Sequence, residues 1–288
     1  AVVLDENNQI CYKSYERHKA QVRQKALDKL VELKKYTKEP FKFAISGSGA
    51  LGLCEQGELP FVQEVFASAT GVSKLYPETD CAIELGGEDA KILFFQGSVE
   101  QRMNGTCAGG TGAFIDQMAT LLNMSLEEMN EASLNYHRLY PIASRCGVFA
   151  KTDIQPLINQ GVDKCDLCAS IFQAVVDQTI TSLAQGRKIE GNILFLGGPL
   201  YFLSGLRKRF VETLKLSDAQ VNCPETAINF VALGTAICAD QEYTYDELYK
   251  ALEDLVHAPA KLTESKPLFE SEEDYQKFIE RHKSHDAK

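Results

Sequence analysis

Two cysteines in glycine-flanked turns are the residues best suited to chemistry in this sequence. Cys107 lies in GTCAGGTG at 105–112, and Cys146 lies in SRCG at 144–147. Apolar residues at helical spacing follow each turn, so each cysteine is predicted to lie near the N-terminus of a helix. The unpaired N–H groups and the partial positive charge of a helix start stabilise a thiolate and any anionic ligand that it holds. We interpret the two cysteines as a functional pair.

A second kind of glycine turn is suited to binding phosphate. The apolar residues 80–85 predict a strand that ends at Gly86 and Gly87, and another strand is predicted from Lys91 onward. Glycine lets backbone N–H groups approach phosphate oxygens, and the Glu84 carboxylate can face a Mg²⁺ ion or an attacking water. Because Gly-Gly hairpins are also common without a ligand, the rest of the chain has to decide between the two interpretations.

A third turn repeats the pattern of a strand, two glycines and a helix. Gly197 and Gly198 close the predicted strand 192–196 and precede a helix. Nucleotides tend to bind at this end of the strands in α/β sheets, although the same glycines could serve helix packing alone. The sequence GGTG at 109–112 hints at a dinucleotide fingerprint, but no apolar strand precedes it, and we reject that interpretation.

Composition excludes several classes of protein. The chain has 288 residues and a formal charge of −10, and it has no basic block interleaved with aromatics, which argues against nucleic-acid binding. We see no apolar run of the ~18 residues that a membrane span needs. Nine cysteines without a scaffold spacing favour a reducing, cytoplasmic setting. The pair Cys165 and Cys168 is more typical of free helical cysteines than of a metal site.

The elements that must position these turns follow from periodicity and turn residues. We predict a β-hairpin over 1–18, strands at 41–45, 80–85, 91–95 and 192–196, and a linker at 257–270. Helices are predicted at 19–36, from about 58 to 69, after each cysteine turn, at 164–185 with Asp163 as a possible N-cap, after Pro199, at 229–236, at 245–256 and at 272–283.

Together these turns resemble one family. The sequences IELGGEDAK at 83–91, CAGGTG at 107–112, SRCGVFAKTD at 144–153 and FLGG at 195–198 resemble the 2-hydroxyacyl-CoA dehydratase activators and the ATPase subunits of benzoyl-CoA reductase. The resemblance runs from about residue 1 to about residue 240, and the two cysteine motifs are its most specific part. The sequence also resembles the activase-like domain of long fused proteins.

The resemblance implies an α/β fold of the actin/hsp70/sugar-kinase class, with two ribonuclease-H-like lobes and with ATP and Mg²⁺ in the cleft between them. Glu84 would be the catalytic residue. It also implies a homodimer whose subunits share one [4Fe-4S] cluster, with Cys107 and Cys146 of each subunit as its ligands. The residues expected to contact the nucleotide are those of the glycine turns: Gly86, Gly87, Glu88, Asp89, Gly110, Thr111, Gly112, Gly197 and Gly198.

The resemblance further implies that ATP hydrolysis drives single-electron transfer from a ferredoxin or flavodoxin donor to a dehydratase-type enzyme or fused dehydratase domain. The sequence departs from the family at two points. It begins after the first strand and phosphate loop of this fold, and Glu84 stands where the family usually has an aspartate. We expect an N-terminal lobe at 1–83, a lobe with the cysteine motifs at 84–240, and a helical tail or linker at 241–288.

Two other functions remain open from the sequence. One is a small-molecule kinase of the same fold, such as an amino-sugar kinase, which would need a substrate-facing aspartate as its base. The other is a non-catalytic nucleotide-sensing or docking domain within a longer protein.

Overall fold

The structure, a computed structural model, describes residues 1–104, 109–143, 147–259 and 267–283. The strands of the described residues are β1 (Val2–Leu4), β2 (Ile10–Lys13), β3 (Phe41–Lys42), β4 (Cys81–Leu85), β5 (Ala90–Phe94), β6 (Glu100–Met103), β7 (Ile193–Leu196), β8 (Val221–Asn222) and β9 (Glu242–Tyr243). The α-helices are α1 (Val22–Leu33), α2 (Leu51–Gly57), α3 (Glu64–Leu75), α4 (Gly112–Leu122), α5 (Leu126–Leu134), α6 (Gly147–Asn159), α7 (Lys164–Thr179), α8 (Gly198–Phe202), α9 (Ser204–Leu214), α10 (Phe230–Cys238), α11 (Tyr245–His257) and α12 (Glu272–Lys283).

A five-stranded mixed sheet forms the centre of the fold. Its strand order is β6-β5-β4-β7-β8, with β5 antiparallel to both of its neighbours and β4, β7 and β8 parallel to one another. The side chains of β4, β5 and β7 are all buried, because helices cover both faces of the sheet. The predicted strands at 80–85, 91–95 and 192–196 are therefore confirmed within one residue.

Alternate residues of β4 divide between the two faces of the sheet. Ile83 points into the larger core cluster, to which α4, α5, α7 and α9 contribute apolar side chains. Ala82 points to the opposite face, where Val72 of α3 and Phe230 of α10 pack. The fold is thus a three-layer α/β/α arrangement around the glycine turns.

Small residues let α3 pack closely against α10, which is the helix predicted at 229–236. At Gly234 a Cβ would overlap the carbonyl oxygen of Ala67, and at Gly71 a Cβ would lie 3.1 Å from Phe230 Cε1. These two helices form the layer that lies behind Glu84.

The N-terminal region forms two small sheets in the described residues. The hairpin of β1 and β2 is antiparallel, as predicted, and β1 packs against α10. The helix predicted at 19–36 is α1, followed by a 3₁₀ turn at Lys34–Tyr36. Leu30 of α1 packs with Leu53 of α2 and with Leu248 of α11 in a separate core cluster.

Two predicted elements in this region differ from the structure. The strand predicted at 41–45 is regular only over β3, because its partner β9 is also two residues long; Ile45 forms an isolated parallel bridge with Phe61. The helix predicted from about 58 to 69 begins at Glu64 and runs to Leu75. The helix begins later than predicted because Phe61, just before it, pairs with Ile45 in that bridge.

The contacts divide the chain into two compact units, Ala1–Val256 and His257–Lys288. In the second unit, Phe269 packs against Tyr275 and Phe278 of α12. The division of the first unit into lobes at 83/84 and the boundary at 240/241 stay predictions.

The predicted helix at 164–185 is α7 with a short π-helical continuation, Ile180–Ala184, and Asp163 is its N-cap, accepting a hydrogen bond from the Cys165 N–H at 2.7 Å. By length and hydropathy alone, Lys164–Ala184 reaches the threshold of a membrane span, contrary to our expectation from sequence. Since 67% of that stretch is buried inside the fold, it serves here as the central core helix.

Candidate functional site

The glycine turns predicted to bind nucleotide meet at one end of the central sheet. β4 and β7 are parallel neighbours, and Gly86 and Gly197 directly follow their carboxyl ends. The N-terminus of α4 reaches the same place, since the Gly112 N–H donates to the Gly86 carbonyl oxygen at 3.0 Å. Three turns that are far apart in the sequence therefore form one site.

Gly197 requires glycine, Gly112 leaves little room for a side chain, and Gly87 leaves space for a ligand. Gly197 has a φ of +87°, and a Cβ there would overlap the Leu85 carbonyl oxygen. A Cβ on Gly112 would lie 3.2 Å from the Gly86 carbonyl oxygen. At Gly87, by contrast, no heavy atom of the described chain lies within 4 Å of where a Cβ would stand. The Gly87 backbone is accessible to a group of phosphate size, which fits the predicted role.

The start of α4 differs from the expectation of free N–H groups. The N–H groups of Gly112 and Ala113 donate to the carbonyl oxygens of Gly86 and Gly87, at 3.0 and 2.7 Å. A helix start leaves its first N–H groups without partners inside the helix, and here the neighbouring turn satisfies two of them. The contact fixes α4 to the β4–β5 turn instead of presenting these two donors to a thiolate or phosphate.

Glu84 is buried next to this turn, with 4% of its surface exposed. Its Oε1 accepts from Lys91 Nζ at 3.0 Å, and its Oε2 accepts from Ser68 Oγ at 2.7 Å. Both carboxylate oxygens thus bind protein donors and the side chain has one fixed orientation. The catalytic assignment of Glu84 stays a prediction.

The other two acidic residues of the turn have different environments. Glu88 is exposed, and its carbonyl oxygen accepts from Asn104 Nδ2 at 3.4 Å. Asp89 is half-buried, and its carbonyl oxygen accepts from the Gly86 N–H at 2.7 Å, closing the turn. Burial raises the pKa of the Asp89 carboxyl, and the nearby Glu64 carboxylate raises it further.

Gly110 and Thr111 lie between the turn and α7. Gly110 has a φ of +82°, and a Cβ there would lie 3.1 Å from Gln178 Cγ on α7. Thr111 is fully buried at the N-cap position of α4. Gln178 Oε1 is buried without a hydrogen-bond partner among the described residues, next to the Gly110 turn. Gly198 lies in the first turn of α8.

The two cysteines of the predicted pair, Cys107 and Cys146, lie outside the described residues. The predicted helices after them are confirmed: α4 begins at Gly112, and α6 begins at Gly147, directly after Cys146. In its first turn, α6 exposes Val148 and Phe149, by 71% and 59%.

The segment that leads into the Cys146 turn is held by side chains of α6 and α7. Asp166 Oδ1 accepts from the N–H groups of His137 and Arg138 at 2.7 and 3.0 Å. Asp153 Oδ2 accepts from the Ala143 N–H at 2.7 Å. The N–H groups of Arg138 and His137 lower the pKa of Asp166. These contacts hold the chain at 137–143, just before the Cys146 turn.

Cys165 and Cys168 lie in the first turns of α7, and neither forms a disulfide. Burial raises the pKa of Cys168 to about 12, and burial with a hydrogen bond to Asp163 raises that of Cys165. In the part of the chain that the structure describes, no group of three or more His, Cys, Asp or Glu side chains could hold a metal ion.

Sequence reasoning missed several residues around the turns. Tyr15 and Phe202 have ring centroids 6.0 Å apart and are both more than half exposed. Tyr15 Oη lies 2.9 Å from where a Gly198 Cβ would stand, so this pair borders the third glycine turn. No periodic pattern in the sequence indicates a role for Tyr15. The pairing of Lys91 with Glu84, by contrast, follows from the predicted hairpin, because the two residues are equally far from its turn.

Solved structures share this fold. The activator of the 2-hydroxyisocaproyl-CoA dehydratase from Clostridium difficile with bound ADPNP superposes with a TM-score of 0.68 at 23% identity, over 91% of this chain and 94% of that one. The chain therefore has the actin/hsp70/sugar-kinase-like fold, and the predicted fold class is confirmed.

The chain belongs to the BadF/BadG/BcrA/BcrD ATPase family, whose model matches residues 1–239. The activator of lactoyl-CoA dehydratase from Anaerotignum propionicum is 30% identical over 75% of this chain and 82% of its own length. The 2-hydroxyisocaproyl-CoA dehydratase activator from Clostridioides difficile is 27% identical over 72% of this chain and 74% of its own length. The resemblance inferred from the glycine and cysteine turns is confirmed.

Proposed function

We propose that this chain is an ATP-dependent activator of a dehydratase that removes water from a 2-hydroxyacyl-CoA, or of a benzoyl-CoA reductase-type enzyme. The observation that carries the proposal is the meeting of Gly86, Gly112 and Gly197 at the carboxyl ends of parallel strands, in a chain of an ATPase family. Relatives named as activators favour this function over the amino-sugar kinase and over a non-catalytic docking domain.

In this proposal the glycine turns bind Mg²⁺-ATP, whose hydrolysis to ADP and phosphate would drive the cycle. The Gly87 backbone is open to a phosphate group, and the exposed Glu88 and half-buried Asp89 stand on the same turn. Glu84 stands behind them in a fixed orientation, held by Lys91 and Ser68. Gly110 and Thr111 stand at the start of α4, and Gly198 is proposed to contact the adenosine.

We further propose that Cys107 and Cys146 of two copies of the chain ligate one [4Fe-4S] cluster, which supplies single electrons to the dehydratase. One chain offers two thiolates in such turns, and a two-fold symmetric pair offers the four that the cluster needs. The exposed apolar side chains of Val148 and Phe149, next to Cys146, support a protein interface here. Ferredoxin or flavodoxin is the proposed donor, and the cytoplasm is the proposed location.

Purification without oxygen tests the cluster assignment. We expect about two irons per subunit, because a homodimer shares the four irons of one cluster. Cys107→Ala and Cys146→Ala should each abolish iron binding, whereas the matched control Cys165→Ala should retain it. Full iron content in Cys107→Ala, or equal loss in Cys165→Ala, would contradict the assignment.

The activator role is tested by reconstitution. The iron-loaded protein, a reductant, Mg²⁺-ATP and a candidate dehydratase are mixed without oxygen, and water removal from a 2-hydroxyacyl-CoA is measured. Activity should require ATP and should be lost with the non-hydrolysable analogue. ATP hydrolysis without activation of any dehydratase or reductase of this type would contradict the proposed function.

A further inference from the structure

Lys91 is a buried cation that joins two elements of the fold. Only 3% of its surface is exposed, and its Nζ lies 2.6 Å from Glu64 Oε2 and 3.0 Å from Glu84 Oε1. The contact with Glu84 follows from the hairpin, because Lys91 stands directly opposite Glu84 in the antiparallel β4–β5 pair. The contact with Glu64 crosses from the sheet to the first residue of α3.

The charges make this bridge hard to dispense with. Burial alone would lower the pKa of the Lys91 ammonium, but the attraction of Glu84 and Glu64 and their hydrogen bonds outweigh it, so the pKa lies above its usual value. The ammonium of Lys91 therefore forms ion pairs with the carboxylates of both Glu64 and Glu84. Without Lys91, the Glu84 carboxylate would have no cation beside it, although only 4% of its surface is exposed. It would also be repelled by the negative charge of Glu64.

The bridge reaches beyond the β4–β5 turn. Glu64 Oε1 lies 3.5 Å from where a Cβ on Gly47 would stand, and Gly47 has a φ of +104° in the SGSG loop at 46–49. At the other end, Glu84 immediately precedes the last residue of β4 before Gly86. Lys91 thus ties the turn proposed to bind phosphate to the start of α3 and to the Gly47 loop.

We propose that Lys91 is a positioning residue for ATP hydrolysis: it holds the Glu84 carboxylate in register with the Gly86–Gly87 turn and couples that turn to α3. The inference rests on the proposed nucleotide site. Lys91 acts through Glu84 and Glu64, because its own ammonium is buried behind the turn between their carboxylates.

The first test separates positioning from nucleotide binding. Lys91→Met keeps the length of the side chain and removes its charge, and we expect kcat for ATP hydrolysis to fall about tenfold or more while KM for ATP changes less than about threefold. Lys91→Arg restores a cation and should recover part of kcat. The matched control is Lys29→Met, which removes another lysine bridging two carboxylates, Glu16 and Glu32, on the exposed side of α1.

A second measurement covers the case in which Lys91→Met does not fold. Glu64→Gln keeps the Lys91–Glu84 pair and a neutral acceptor, so it should fold while weakening the link to α3. With ADPNP, hydrogen exchange in the wild type should slow both in the turn at 86–89 and in the first turn of α3. In Glu64→Gln, protection should remain in the turn and be lost in α3.

Three outcomes overturn the inference: unchanged kcat in folded Lys91→Met, an equal loss in Lys29→Met, or full α3 protection in Glu64→Gln. These outcomes leave the activator role intact, because that role is measured by dehydratase activation. Conversely, ATP hydrolysis that depends on Lys91 without activation of a dehydratase would overturn the proposed function and support this inference.

Discussion

Gly197 shows at the scale of one residue how the site depends on backbone geometry. Its φ of +87° lies in the left-handed region, and its Cα lies against the Leu85 carbonyl group at the end of β4. Alanine at this position would strain the backbone, and its Cβ would also collide with main-chain atoms of Leu85. Those atoms cannot move without disturbing the pairing of β4 with β7. We expect Gly197→Ala to lower the free energy of unfolding by about 3 kcal/mol or more.

A second glycine with a positive φ lacks the collision. Gly186 has a φ of +85°, but no heavy atom in the described parts of the chain lies within 4 Å of where its Cβ would stand. Gly186→Ala should therefore cost only the strain, about 1 kcal/mol. Urea unfolding of both variants measures the difference, and equal losses would show that the contact with Leu85 does not matter.

The residues of the site differ in how far the sequence could predict them. The sequence predicts the strands and the glycine turns that end them at Gly86, Gly87 and Gly197. Glycine directly after an apolar strand indicates a tight turn or a close approach of the backbone to another group. The bridge from Lys91 to Glu64 could not be predicted, because it depends on where α3 packs on the sheet. A charged residue inside an apolar strand is nevertheless a signal that a partner exists nearby.

At the scale of elements, α7 anchors the segment that leads to the Cys146 turn. Asp166 holds the N–H groups of His137 and Arg138, and Ser170 Oγ accepts from the Tyr140 N–H at 2.8 Å. Residues 137–143 have no regular secondary structure, so these side chains replace the partners that a helix or sheet would supply.

Asp166→Ala tests this anchor through its pH dependence. The variant should lose about 2 kcal/mol of stability at neutral pH, because two hydrogen bonds to a carboxylate disappear. Since the folded protein holds the pKa of Asp166 below its usual value, the carboxylate contributes stability above the unfolded pKa of about 3.9. That contribution is lost as the pH falls through the folded pKa, so the difference between wild type and variant should shrink.

Denaturant unfolding from pH 7 down to about pH 3 measures this trend. Asp166→Asn is the matched variant, because its amide oxygen remains an acceptor without the charge, and it should lose about half as much stability. A difference between wild type and Asp166→Ala that does not change with pH would show that the carboxylate charge is not what holds the segment.

Periodicity predicted most of the helices and missed two short ones, α2 and α5. α7 and α10 each bury apolar residues that recur at helical spacing, and this spacing can be recognised in the sequence. α2 has seven residues including Gly52 and Gly57, which lowers its intrinsic helix propensity. It is helical because Leu53 and Cys54 pack into the cluster around Leu30, a tertiary effect that a local pattern does not carry.

At the scale of the whole molecule, the first compact unit extends beyond residue 240, while the boundary expected there stays a prediction. The unit extends to Val256, so the sequence over 241–256 lies inside it. β9 pairs with β3, and Arg23 of α1 donates to the Leu255 carbonyl oxygen at 2.9 Å. The charged composition of α11 hid this role, because the charges occupy the outer face of a strongly amphipathic helix.

Two truncations distinguish a tail from a structural part of the unit. A chain that ends at residue 257 keeps α11, and we expect its melting temperature to match that of the full chain. A chain that ends at residue 240 loses β9 and four buried side chains of α11, namely Tyr245, Leu248, Leu252 and Leu255. At about 1.5–3 kcal/mol for each buried apolar side chain, the loss is comparable to the ~5–15 kcal/mol that stabilises a whole domain.

The shorter chain should therefore unfold the region around Leu30 at temperatures where the longer one is intact. Exposure of α1 and α2 would be seen as fast hydrogen exchange in these helices. The central sheet should exchange more slowly, because its core clusters contain no α11 residue among those described. Equal melting temperatures for the two truncated chains would support the expected tail at 241–288. Loss of stability in both would place a structural contribution beyond residue 257.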